Sequence, residues 1–557
     1  MQPKENWMSR WCFFRGMSLA VLAAFSPAVA SLKAESIFSK PVAVISLGKL
    51  DNVQPDIIYM MRAVGSPQIG GFVNIMVDQY SQGLDRERPA GFLVAMQGET
   101  PAFLAYMPLS DFDKFIEALQ AFGEPDDLGE GKYAMEVGAN TVFAKKSDKW
   151  LYVAMDEGLL EDLPEDPTKL STPTEEQYEL SARLMVQNVP AEIKSMILDQ
   201  LKNSLDQAMA AQSEGQSDED QAKAAEAGEQ TIASLEKSME EMSELMIGWN
   251  IDSSAKKTYL DFGVQAVDGS QMATDMVKQQ EVTTEFPGFS QNGAAATFRF
   301  GSALAEKDRP QTVTSLDTAK AQLLAQIEEN EQIPEGRGKD VAKDFVEKLF
   351  ALLTKTVEEG VFDGGATVLL DGEKLRGVLG GRIADGNQLA NDVKSIFKEV
   401  EDVPEIPKVN FDAYKHQNVT FHTVTVPVQN AEGAVEKILG TELPLVIGTG
   451  DKSFYLGFGS GCEDLLKAVL DKNNSEGATK VSPLELSVEV GQILRYAQSV
   501  ESNPFLDMAA EAIQDFSGKD HVMVQSRPIP RGLVYRLTVE EGVLRAAGSL
   551  SQGNAQE

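Results

Sequence analysis

Cysteine is nearly absent. The 557 residues hold two, Cys12 and Cys462, and Cys12 falls in a leader-like N-terminus, so the remainder has no second thiol for an intrachain disulfide. That excludes a disulfide scaffold. Stability must come from burial, which a chain this long can supply, in more than one domain. Histidine is scarce too: His416, His422 and His521. No HExxH occurs, Tyr414 to Gln417 reads as a turn that separates His416 from His422, and no third ligand is evident, so no metal or cofactor is expected. Basic residues are outnumbered, 50 Lys and Arg against 85 Asp and Glu, for a net charge of −35. Nucleic acid and anionic lipid surfaces, which need a basic patch, are therefore not expected partners. The acidic surface favours solubility and leaves a basic partner open. No apolar run after the leader approaches the roughly 20 residues that cross a bilayer.

What is present begins with an address. Lys4, Arg10 and Arg15 precede the short apolar stretch GMSLAVLAAFSP, and Ala28-Val29-Ala30 supplies small residues for a signal peptidase. Cleavage is expected between Ala30 and Ser31, with export to the periplasm or beyond. Cys12 lies ahead of the apolar run, which argues against a lipid-anchored cysteine. Losing three Lys or Arg and one Asp or Glu takes the charge to −37.

The mature chain then repeats a unit of strand, turn, strand, cap and helix. PVAVISL (41–47) is a strand, followed by a helix through Ile57, Ile58 and Met61. GFLVAMQ (91–97) turns through Gly98 into PAFLAYMPL (101–109), and Ser110 or Asp111 caps a helix with Phe112, Phe115, Ile116, Leu119 and Phe122 on one face. MIGWNID (246–252) and TYLDFGVQAV (258–267) form the second hairpin, with a helix carrying Met272 and Met276. ATVLLDGEKLRGVLGGRIA (366–384) turns at Asp371-Gly372, where both positions tolerate positive φ, and leads into a helix with Leu389, Val393 and Ile396. HVMVQSRPIPRGLVYRLTV (521–539) is a looser fourth copy. Local matches accompany the order: Asp148 to Val153 with Asp451 to Leu456, and Glu179-Leu180-Ser181 with Glu485-Leu486-Ser487. The expectation is an α+β chain of two tandem related domains of antiparallel sheet, 31–290 and 291–557.

DKSFYLGFGSGCEDLL (451–466) looks like a phosphate loop, with Gly457, Gly459 and Gly461 ahead of a helix. Its counterpart AMDEGLLEDL (154–163) keeps one glycine and puts acids where phosphates would sit. Neither G-x-G-x-x-G nor the P-loop pattern is met. The glycines read as a corner.

The halves differ at 190–246. Pro190 opens a helix with Ile193, Ile197, Leu201, Leu205 and Met209; SEGQSDEDQAKAAEAGEQ (213–230) is acidic and low in complexity; a second helix carries Ile232, Leu235, Met239, Met242 and Met246 at helical spacing. This reads as a long helical hairpin with an acidic tip inserted in the first domain. The stripe Met239, Met242, Met246 reads first as core. The sharper reading is an adaptable groove for a partner helix, a peptide or an acyl chain. A further amphipathic segment runs through Val341, Phe345, Leu349 and Leu352.

No catalytic residue is assigned. G-x-S-x-G is absent. Cys462 at a helix start would have a lowered thiol pKa were Glu463 and Asp464 not beside it. Carboxylate pairs are too many for one to stand out. The AVA-type leader, PVAVISLGKLD after it and the repeated strand–hairpin–helix units resemble large uncharacterised secreted protein families of planctomycete-type bacteria, a pattern-level resemblance that implies an exported α+β protein and no catalytic residue. The leading expectation is a non-enzymatic envelope protein that binds or scaffolds a protein, peptide or lipid. The alternatives are a secreted hydrolase using carboxylates in an inter-domain cleft, and a lipid carrier.

Overall fold

The computed structural model describes residues 37–120, 123–170, 178–212, 218–330, 333, 336–372, 374–401, 407–428, 433–501 and 503–553. The expected leader with its expected Ala30–Ser31 cleavage point, and Phe122, lie outside them. Contacts divide the chain into two units, Met1–Arg62 with Ser66–Ala222 and Gly228–Ile251, and Ala63–Gly65 with Lys223–Ala227 and Asp252–Glu557. The division falls at 251/252, ahead of the 290/291 boundary read from sequence.

In the first unit β1 (Ala43–Leu47) leads to α1 (Leu50–Ala63) and α2 (Pro67–Tyr80). Then come the hairpin β2 (Ala90–Gln97) and β3 (Thr100–Pro108), and α3 (Phe112–Leu119). Asp111, extended in backbone, caps α3 by accepting from the Lys114 N–H, which satisfies one of the donors the first turn leaves free. A meander follows: β4 (Asp126–Gly129), β5 (Lys132–Val137), β6 (Asn140–Ser147) and β7 (Trp150–Ala154). Then come β8 (Leu180–Met185), α4 (Ala191–Gln212), α5 (Asp218–Glu241) and β9 (Met242–Asp252). All pairings are antiparallel, in the order β4-β5-β6-β7-β3-β2-β1-β8-β9. Val44, Leu93, Leu104, Tyr106 and Tyr152 are buried on one face, under Phe38 and Leu160. The Tyr152 hydroxyl donates to the Pro164 carbonyl, which pins the covering loop. Part of the other face, at Leu109 and Leu151, is covered by Phe115 of α3.

The second unit opens with β10 (Lys257–Ala266), α6 (Gln271–Lys278) capped by Ser270, and the two-residue β11 (Thr283–Thr284). β12 (Ala296–Ala303), α7 (Arg309–Glu329), α8 (Arg337–Glu359), β13 (Val361–Asp371), β14 (Lys374–Arg382) and α9 (Gly386–Glu399), capped by Asp385, follow. Then come β15 (Asn410–His416), β16 (Val419–Pro427), α10 (Ala434–Leu439), β17 (Glu442–Thr449), β18 (Ser453–Phe458) and α11 (Cys462–Glu476). The chain ends through β19 (Thr479–Lys480), β20 (Leu484–Glu489), α12 (Val490–Val500), α13 (Pro504–Ile513), β21 (His521–Ile529), β22 (Gly532–Glu540) and α14 (Glu541–Gly553). β11 pairs with β19. The remaining strands pair antiparallel in the order β15-β16-β17-β18-β14-β13-β12-β20-β21-β22-β10. β10 clusters with this unit because it pairs with β22 along Lys257↔Glu540 to Gln265↔Gly532. The core gathers Phe289, Val378, Phe421, Val446 and Tyr455 under Leu466 and Val469 of α11.

Two expectations need correction here. The segment read as one methionine-bearing helix changes to strand at 241/242, so Met242 and Met246 lie on β9 while Met239 stays in α5. Met239, Met242 and Met246 therefore share no helical face. Met246 instead points into the unit opposite Arg183. The second correction concerns the acidic stretch: its backbone is already helical from Asp218.

Candidate functional site

The glycine corner is geometry. Gly459 has φ +86° and Gly461 φ +83°, a left-handed region costly for other residues. A Cβ on Gly459 would lie 2.1 Å from the Leu375 carbonyl oxygen, and one on Gly457 2.9 Å from Leu466 Cδ1, where α11 packs on the strand. The Cys462 N–H already donates to the Gly459 carbonyl, and Glu463 and Asp464 occupy the first turn. An anion would meet carboxylates there. Burial, with Glu463 adding to it, pushes the Cys462 thiol up to about 11, so this buried cysteine is a thiol at neutral pH.

The histidines sit apart. His416 closes β15 and pairs with Asp471; the turn is Gln417-Asn418, both at positive φ. His422 is buried on β16, its Nδ1 accepting from the Asp412 N–H at 3.0 Å, and burial holds its pKa below the ordinary value. His521 opens β21 beside two acids the sequence reading did not connect with it, Asp520 and Glu540. Among the described residues these three form the one group whose ligand atoms all lie within 4.8 Å of one another. Hairpin register was the available signal, since Val522↔Val539 places 521 beside 540.

A shallow cavity of about 380 Å³ in the first unit is lined by Asp85, Leu109, Ser110, Phe112, Lys146, Asp148 and Lys149. Its two carboxylates sit among two lysines, and Lys146 Nζ lies over the Phe112 ring.

The sheets carry the unusual feature. Antiparallel strands normally alternate apolar toward the core and polar toward water. On β2, β1, β8 and β9 the register aligns Ala90, Leu47, Leu180 and Trp249; Phe92, Ile45, Ala182 and Ile247; and Val94, Ala43, Leu184 and Leu245. These rows contain no charge. Ile45, Leu180, Leu184 and Ile247 are 37%, 45%, 38% and 45% exposed. On the opposite face Arg183 makes a bidentate bond to Glu244 and both are largely covered. The second unit repeats the inversion. Leu260↔Leu537 and Phe262↔Tyr535 face outward at 41%, 38%, 48% and 41% exposure. The Leu537 row continues through Val524, Leu486, Phe298, Ala366, Leu379 and Leu456. Between them Asp261 is fully buried, taking Arg536 Nε at 2.8 Å and Nη2 at 2.7 Å, while that guanidinium lies 3.6 Å over the Tyr259 ring. On β8, β9, β10 and β22 an ion pair is inside and hydrocarbon outside, while β1 and β2 are apolar on both faces, with Val44 and Leu93 in the core.

Helix α4 adds to this apolar exposure. Ile197 and Leu201, read as one buried stripe, are exposed, as is Met196. No helix of the described residues is long and apolar enough to cross a membrane. Comparison with protein-family models, with curated proteins and with solved structures finds no match to this chain.

Proposed function

We propose that the chain is an exported, non-enzymatic binding protein of two related α+β units, whose apolar sheet faces dock an apolar surface of another protein or peptide. The observation that carries this reading is the inverted alternation: uncharged rows across β2, β1, β8 and β9 are open while the Arg183–Glu244 pair is covered. Exposed contiguous apolar surface costs solubility and marks interaction sites. A protein partner fits better than a single lipid, because an isolated acyl chain needs enclosure on most sides and this face lies open.

The relatedness of the units is supported by element order. The run β1, α1, α2, β2, β3, α3 has the same sequence of parts as β12, α7, α8, β13, β14, α9. Along the chain, β8, α4, α5, β9, followed by β10 and α6, which cluster with the second unit, have the same order of parts as β20, α12, α13, β21, β22, α14. Neighbour relations agree as well: β1 lies between β2 and β8, and β12 between β13 and β20. The helical pair α4–α5 then reads as a lengthened form of α12–α13, inserted between the same two strands. Asp111 and Asp385 cap equivalent helices.

Single lysine substitutions test the reading. Leu184→Lys or Ile247→Lys places a charge on the open face, where a long side chain can still reach water. Both variants are expected to keep wild-type circular dichroism and melting temperature while partner recovery from native envelopes falls at least about tenfold, as for loss of an interface anchor. Gln97→Lys, at the exposed end of β2, should leave recovery unchanged. Equal recovery by all three variants would reject the face as the docking surface. A stoichiometric lipid in organic extracts of the wild type, displaced by Ile247→Lys, would replace the protein partner with an acyl chain.

A further inference from the structure

We propose that Asp520, His521 and Glu540 form a binding site for one divalent transition cation, with zinc-like preference for mixed imidazole and carboxylate donors. His521 Nδ1 lies 3.1 Å from Glu540 Oε2 and 3.6 Å from Asp520 Oδ1, close to the separations of donors that each sit about 2.0–2.2 Å from a shared ion. Asp520 is fully buried, and its Oδ2 has no hydrogen-bond partner among the described residues; its Oδ1 accepts from the Gly518 N–H at 3.1 Å. Glu540 is also buried, and Lys519 Nζ stays 3.8 Å from its Oε1. Glu540 Oε2 also accepts from the His521 N–H at 3.0 Å, and the nearby Arg495 guanidinium is 3.5 Å from Glu489. Asp520, Glu540 and Glu489 are thus three acids beside two loosely placed cations, Lys519 and Arg495, and a low-dielectric site tolerates that excess of negative charge poorly. A divalent cation offsets it.

The surroundings suit a resident ion. A Cβ on Gly491 would fall 2.3 Å from Asp520 Oδ2, so glycine at the start of α12 keeps that carboxylate in place. Glu489 lies across from His521 in the β20–β21 register. The imidazole edge is partly exposed and gives solvent a route in. The Val490 N–H donates to the Asp520 carbonyl and the Gly542 N–H to the Lys519 carbonyl. A bound ion would therefore tie α12, the β21–β22 hairpin and α14 together. The donor set favours Zn²⁺ over Mg²⁺ or Ca²⁺, which prefer all-oxygen shells. Its role is structural, and it is independent of the apolar face.

Zinc titration of the full chain, with excess Mg²⁺ to occupy surface acids, tests the site. Wild type should bind one equivalent of Zn²⁺ and melt several degrees higher when it does, because a ligand that prefers the folded state stabilises it. His521→Ala and Glu540→Gln should each weaken binding about tenfold or more and abolish the melting shift. His416→Ala, at the exposed pair with Asp471, should change neither. Each variant's fold is checked by circular dichroism, and Glu540→Gln, which keeps shape and an acceptor, serves if His521→Ala does not fold. Zinc binding that His521→Ala and Glu540→Gln leave intact, or no equivalent retained above the Mg²⁺ background, overturns the proposal.

Discussion

Gly459→Ala is expected to destabilise the second unit by about 3 kcal/mol, with no change in phosphate or nucleotide binding, which should be negligible in both proteins. The left-handed backbone at φ +86° costs an alanine about 1–2 kcal/mol. The added methyl would also sit 2.1 Å from the Leu375 carbonyl oxygen, a backbone atom that moves only if β14 and β18 part. Relieving such a contact adds about another 1–2 kcal/mol or more. Gly461→Ala should cost less. Its φ is equally positive, but the nearest atom to a new methyl is Arg376 Nη1 at 3.1 Å, the end of a flexible side chain. Urea unfolding followed by circular dichroism measures both. Equal effects, or a loss of measurable nucleotide affinity on substitution, would return the corner to consideration as a ligand site.

Glu179→Gln should behave in the opposite sense, stabilising the first unit at alkaline pH. Glu179 is buried where β8 begins, its Oε2 accepting from the Ile251 N–H at 2.7 Å. Burial, with Asp56 nearby, pushes its carboxyl up to about 7. A raised carboxyl pKa means that the folded state holds a proton the unfolded chain has released. Stability therefore falls as pH rises from 4.5 to about 7 and levels off above that. The window corresponds to about 3 kcal/mol at roughly 1.4 kcal/mol per pH unit. A neutral glutamine removes this dependence, so the variant should match wild type near pH 4.5 and exceed it at pH 8. Beyond residue 36, tryptophan occurs at 150 and 249, both in the first unit, so fluorescence-monitored urea unfolding of a chain lacking residues 1–36 reports on that unit. A wild type as stable as the variant at pH 8 would show that Glu179 ionises without penalty.

Local chemistry was readable where one residue type decides one conformation. Asp111 as a helix cap and Gly98 and Gly372 as hairpin turns follow from single side chains or from their lack, and the fold contains them. The methionine stripe misled because Glu240-Glu241-Met242-Ser243-Glu244-Leu245 carries no glycine or proline at the change from α5 to β9. Its apolar spacing fits the helical period, and tertiary pairing with β8 decides otherwise. Contacts divide the chain at 251/252 rather than at 290/291 because β10 also pairs with β22, far along the chain. Long-range pairing also hid the open face. Ile45 and Ile247 look like core residues in any local window, and only the covered Arg183–Glu244 pair identifies which side is out. The Asp520–His521–Glu540 group needed the register of a hairpin whose strands, but not their alignment, were legible.

A photo-reactive amino acid at position 247, irradiated in native envelopes, tests the docking face most directly. The apolar face, if it is a docking surface, should yield one dominant protein adduct from position 247 and none from position 97 at the exposed end of β2. No adduct at 247, or the same spread of adducts from both positions, would mean that the outward hydrocarbon serves no partner.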